Sequence, residues 1–152
     1  MPRFKLDFSR FNPREVFSGK GERSVDEDRR PDVVLDFEFR DGLFFISIRN
    51  IGSVPALDVG VEFAPSFTGV GGAKNVTELP LFNDLTYLAP GRRIETFLDT
   101  SASYFHRDEP TRVKVRVHYR ARDGTRYEER VEHNLEIYRE LGYVGRQQPG
   151  GA

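Results

Sequence analysis

The chain has 152 residues, a formal net charge of −1 and no cysteine. A domain of this length buries roughly two thirds of its unfolded surface without a staple, and the missing thiols exclude disulfides, thiol catalysis and Cys-ligated zinc. Near-neutral charge argues against a dedicated nucleic-acid or anionic-membrane binder, and no apolar run approaches the ~18 residues of a membrane span.

Residues 1–31 read as an N-terminal arm and a charged linker. Phe4, Leu6 and Phe8 alternate, then Phe11, Val16 and Phe17 follow, with Asn12-Pro13 as a helix start signal between them. The stretch GKGERSVDEDRRP over 19–31 is charged and Gly-flanked, as linkers are. Two readings of the arm stand side by side. It docks on a partner, by strand addition or by anchor side chains, or it completes the sandwich of its own domain. The first residues hold no apolar run of the kind that opens a secretory signal, so the expected location is cytoplasmic.

Residues 32–140 read as one β-domain and 141–152 as a flexible tail. Val33, Leu35, Phe37 and Phe39 alternate with polar positions and predict a first strand; Asp41-Gly42 is a hairpin signal. Residues 43–50 are apolar on both faces, which suits a central strand or one covered by the Phe-rich arm. Leu57, Val59, Val61 and Phe63 alternate strictly and predict a half-buried third strand.

Residues 64–91 predict a long loop, punctuated by Gly69, Gly71, Gly72 and Pro80. So much apolar material within it must pack on the body or on a partner. Phe67 and Phe82 of this loop join Phe4, Phe8, Phe11 and Phe17 as candidate partner-binding residues. A strand over 93–98 and a helical turn over 101–106 follow.

The last hairpin allows its register to be derived. Val113, Val115, Val117 and Tyr119 alternate on one strand, and Tyr127, Val131, Leu135 and Ile137 on the return. A two-residue Asp123-Gly124 loop would set valines opposite charges. A three-residue loop, with Gly124 left-handed in a G1 bulge, restores the match. Tyr119 then faces Tyr127, Val115 faces Val131, Val113 faces His133, Lys114 faces Glu132 and His118 faces Glu128. Six or seven short strands with almost no helical periodicity imply an all-β, antiparallel two-sheet sandwich.

No constellation of catalytic residues emerges. His118 and His133 fall on opposite faces of that hairpin and cannot share a metal, and His106 lies in a loop beside Asp108 and Glu109. Asp36, Glu38, Asp58 and Glu62 fall on solvent faces, with no pair spaced as a glycosidase requires. Ser101, Ser103, His106 and Asp99 offer the residue types of a triad without a nucleophile elbow. Val70-Gly71-Gly72-Ala73-Lys74 lacks the spacing of a phosphate loop. The stripe Lys114, Arg116, Arg120, Arg122, Arg126 and Arg130 is broken by Glu128 and Glu132 and has no interleaved aromatics for base stacking. No cofactor is expected.

Two short motifs carry a resemblance. Asn50-Ile51-Gly52-Ser53-Val54-Pro55-Ala56-Leu57-Asp58-Val59 and Leu88-Ala89-Pro90-Gly91 are similar to the strand–turn–strand and the "L-x-P-G" elements of bacterial immunoglobulin-like domains of the CARDB type. The resemblance covers roughly residues 33–138 and implies an immunoglobulin-like sandwich of about seven strands. It implies a non-enzymatic interaction or scaffold module that meets a protein partner or its own oligomer. The alternative is a structural subunit of a larger assembly such as a virion, tail or surface layer, with the arm docked on a neighbour.

Overall fold

The computed structural model describes residues 29–141. In chain order they form strands β1 (Val33–Arg40), β2 (Leu43–Asn50), β3 (Ala56–Ala64), β4 (Thr68–Gly69), β5 (Lys74–Asn75), β6 (Leu85–Leu88), β7 (Arg93–Thr100), β8 (Arg112–Arg120) and β9 (Arg126–Asn134). Two short helices, α1 (Pro80–Asn83) and α2 (Ser101–His106), lie between them. One sheet has the order β1-β2-β7 and the other β6-β3-β8-β9, while β4 and β5 pair on their own. Every pairing is antiparallel. The molecule is the all-β, two-sheet antiparallel sandwich that the alternation predicts.

Alternating side chains build the core from both sheets. Val33, Leu35 and Phe37 of β1 and Phe44, Ile46 and Ile48 of β2 meet Val59 and Val61 of β3 and Val113, Val115 and Val117 of β8. Asp41 and Gly42 both have positive φ, +52° and +77°. That is the twist a two-residue hairpin needs to match its strands, and it sets Arg40 opposite Leu43.

The last hairpin has the derived register throughout: Tyr119 faces Tyr127, Val115 faces Val131, Val113 faces His133, Lys114 faces Glu132 and His118 faces Glu128. Its loop is also as derived. The Ala121 N–H donates to the Thr125 carbonyl (2.8 Å), the Gly124 N–H to the Ala121 carbonyl (3.0 Å), and Gly124 sits at φ +90°. β9 stops at Asn134, earlier than the alternation of Leu135 and Ile137 suggests. Residues 137–141 are helical, and Ile137 is exposed.

In β3 the strict alternation fails at its start. Asp58 adopts φ +49° in a bulge, so Leu57 faces Arg120 and Gly60 faces His118. Since residues opposed across a pair share a face, Leu57 lies with Arg120 outside the core. One extra residue has inverted the phase of everything before it.

β2 is central, flanked by β1 and β7. On its outer row Phe45 packs against Phe97 of β7 (ring centroids 5.8 Å apart) and beneath the Arg40 guanidinium (4.1 Å). The arm expected as its cover, with Phe4, Phe8, Phe11 and Phe17, lies outside the described residues.

The stretch over 64–91 is a correction. It contains β4, β5, α1 and the sheet strand β6, and it packs inward on its own domain. Phe67 and Phe82 are 2% and 1% exposed. Phe67 meets Phe37 and Phe63, and Phe82 meets Phe63, at centroid distances of 5.0–5.9 Å. Neither offers a partner any surface.

Candidate functional site

Two buried polar centres hold the frame around any site. Asn50, fully buried, ends β2. Its Nδ2 donates to the carbonyls of Val54 (2.8 Å) and Leu88 (3.1 Å), and its Oδ1 accepts from the N–H groups of Gly52 (2.9 Å) and Asp32 (3.1 Å). The Gly91 N–H donates to its backbone carbonyl (2.7 Å). The two short motifs singled out in the sequence therefore converge on one side chain. Gly52 is required there, because a Cβ would lie 2.3 Å from the Arg30 carbonyl oxygen.

The second centre arises from a register shift between β2 and β7, which leaves Asp99 opposite the buried Phe44. There its carboxylate pairs with the Arg107 guanidinium and accepts from the Thr100 N–H (2.8 Å). Arg107 also donates to Ser103 Oγ (2.7 Å) and to the Thr68 carbonyl (3.0 Å), and Thr68 bonds Glu109. Asp99 and Ser103 thus serve a guanidinium that pins the β4–β5 hairpin to α2. They do not serve His106, which is exposed, so these triad residue types do not form a triad.

The outer faces of both sheets are cross-paired. Glu38, Arg40, Arg93 and Glu95 form a lattice over β1 and β7. Burial opposes ionisation of Glu38, yet hydrogen bonds from Ser47 and Arg93 hold its pKa low. On the other sheet Arg116 joins Glu62 (3.0 Å) to Glu128 (2.5 Å), and Asp58 pairs with Arg120 (2.6 Å). Burial raises the pKa of Glu128, with Arg116 opposing. His118 lies over Gly60 on that face, and His133 packs edge-on against Phe37 (5.0 Å) within the sandwich, on the opposite faces expected.

The sheet edges are treated unequally. β1 turns the backbone groups of its odd-numbered residues outward, since Ile51 donates to Asp32 (2.8 Å) in the even-numbered set. Side chains from the facing sheet and the 137–141 segment reach that edge: His133 bonds the Leu35 backbone, and Tyr138 Oη donates to the Phe37 carbonyl (3.4 Å). β7 has the Gly69 backbone packed at its Leu98 carbonyl. β6 has only four residues. Short or covered edges of this kind resist pairing with another chain.

β9 is different. It runs nine residues without a bulge, and Glu129 and Val131 of its core-facing row are exposed. Val131 is 46% exposed, whereas Val113, Val115 and Val117, on the same face of β8, are at most 4% exposed. Its neighbour Glu129 sits beside Asp32 and Arg30; burial raises its pKa first, Asp32 adds to this and Arg30 opposes it. His133 keeps a buried Nε2 without a hydrogen-bond partner among the described residues. Periodicity could not reveal this site, because an exposed row alternates just as a covered one does.

A family model described as "Domain of unknown function (DUF8453)" matches residues 13–139. The chain belongs to that family. The match takes in all nine strands and Phe17, and leaves Phe4, Phe8 and Phe11 outside it. No curated protein and no solved structure shows a significant match. Among the described residues no helix is long and apolar enough to cross a membrane.

Proposed function

We propose that this DUF8453 domain is a non-enzymatic protein-interaction or scaffold module that engages protein edge-on, through β9. One observation carries the reading. Of the four sheet edges, β9 is long, regular and left open among the described residues, with the half-exposed Val131 next to its central residue. An added strand there gains main-chain hydrogen bonds for affinity and covers Val131 for specificity.

The strand order supports an immunoglobulin-like assignment. The chain passes between sheets at β2–β3, β6–β7 and β7–β8, as in sandwiches where one strand leaves the first sheet to lengthen the second. The likeness of the Asn50 and Leu88 motifs to CARDB-type domains fits a framework role, since both motifs end at the same hub.

Peptide display on the immobilised full chain, followed by amide chemical-shift mapping of a selected peptide, tests the reading. Shifts clustered on Arg126–Asn134 and abolished by Val131→Lys are expected. Shifts elsewhere, or no selectable binder for a chain that scatters as a monomer, would overturn it.

A further inference from the structure

The charge pattern of β9 specifies an occupant for this edge. The hydrogen bonds from Ala121 to Thr125 and from Leu135 to Thr111 (2.6 Å) fix the parity: odd-numbered residues of β9 bond β8, so even-numbered ones turn their N–H and C=O groups outward. A second strand must bond to Glu128, Arg130, Glu132 and Asn134. Consider that strand to be another β9, antiparallel, about a two-fold axis. Parity allows only a few registers.

Centring the axis on Val131 sets Arg130 opposite Glu132 and Glu128 opposite Asn134 on the outer row. On the core-facing row Glu129 meets His133, and Val131 meets its own copy. Every charged residue faces an opposite, neutral or titratable partner. Shifting the axis to Arg130 makes Arg130 face Arg130 and Glu128 face Glu132. Shifting it to Glu129 makes the two Glu129 carboxylates face each other on the core-facing row, and shifting it to Glu132 makes the two Glu132 carboxylates do so on the outer row. Like charges directly opposed destabilise a pair of strands, and of these four registers only the one centred on Val131 avoids every such pair, although the hairpin itself sets Arg116 opposite Arg130.

Resting on the edge-on reading above, we propose that the protein forms a two-fold dimer by antiparallel β9–β9 pairing centred on Val131, joining the two four-stranded sheets into one. Such a contact is isologous and closes on itself, so it consumes the open edge without propagating. It covers the exposed valine at a non-hydrogen-bonded position, where side chains approach most closely. It also places the Glu129 carboxyl of each copy opposite the partner's imidazole.

The absence of cysteine allows a clean test. Single replacements Tyr127→Cys, Glu129→Cys, Arg130→Cys, Val131→Cys and His133→Cys in the full chain are oxidised with glutathione. Disulfide dimer should form roughly tenfold or more faster at Val131→Cys, because the axis brings only that pair of Cβ atoms within bonding reach. Val131→Lys, a surface change that leaves unfolding intact, should yield a monomer by light scattering where the parent chain is a dimer. Fastest crosslinking at another position overturns this register and the proposal with it. A parent chain that stays monomeric, with no position faster than the rest, overturns the second copy as occupant. If a displayed peptide still maps to β9, the edge-on reading stands alone; if none does, both fall.

Discussion

Asn50 Nδ2 donates to the Leu88 carbonyl across 38 positions of sequence, at 3.1 Å and out of contact with solvent. The bond ties the end of β2 to the end of β6, which belong to different sheets. Asn50→Ala would strand four partner groups, each costly once buried and unpaired. A loss of about 3 kcal/mol is expected, read from the midpoint of urea unfolding at unchanged m-value.

Two glycines separate backbone crowding from side-chain crowding. A Cβ at Gly52 meets the Arg30 carbonyl at 2.3 Å, and a Cβ at Gly60 meets the His118 ring at 2.2 Å. The carbonyl is fixed by its own hydrogen bond from Ser53 (3.2 Å), whereas the imidazole can swing towards solvent. Gly52→Ala should cost about 2 kcal/mol or more and Gly60→Ala about 1 or less, compared by calorimetry on the two variants.

The Asp99–Arg107 pair should act as a unit. Its side chains are nearly buried, and removing one partner leaves the other charged without compensation, at a cost of about 3 kcal/mol or more. Arg107→Leu and Asp99→Leu together should therefore cost clearly less than the sum of the single changes. Strict additivity in a double-mutant cycle would refute the pin.

Acid should weaken the fold through its histidines. Burial lowers the pKa of both His118 and His133, opposed by Glu62 and Asp36 respectively. A depressed imidazole binds its proton more readily in the unfolded chain. Its stability contribution is thus complete above about pH 6.5 and is lost as pH falls through the folded value. Glu128 and Glu129, raised by burial, have the opposite sign: they favour folding in acid, and that contribution is lost as pH rises through their folded values. The histidines therefore add a slope in which stability falls with pH below about 6.5. Replacing both histidines with Gln should flatten it in a series of urea titrations.

Much of this architecture is legible in the sequence where a local rule has a unique solution. The β8–β9 register follows from matching faces across a Gly124 bulge, and Asp41-Gly42 announces its hairpin. Legibility ends where one residue shifts the phase. The bulge at Asp58 moves Leu57 out of the core, and the irregularity in β7 leaves Asp99 buried, with no period to mark either. Residues 64–91 hide Phe67, Phe82 and β6 because elements of two to four residues are too short to show periodicity. The open edge was hidden for another reason. Which strand ends a sheet depends on long-range pairing order, and Val131 reads like any core valine until its strand is seen to end the sheet with that side chain exposed.

Amide hydrogen exchange across β9, followed as a function of protein concentration, tests the central claim most directly. The N–H groups of Glu128 and Glu132 point away from β8, and that of Val131 points towards it. Exchange at Glu128 and Glu132 should slow steeply as concentration rises, while Val131 stays protected throughout. Rates at Glu128 and Glu132 that do not change with concentration, in a sample that scatters as a monomer, would contradict the β9–β9 contact.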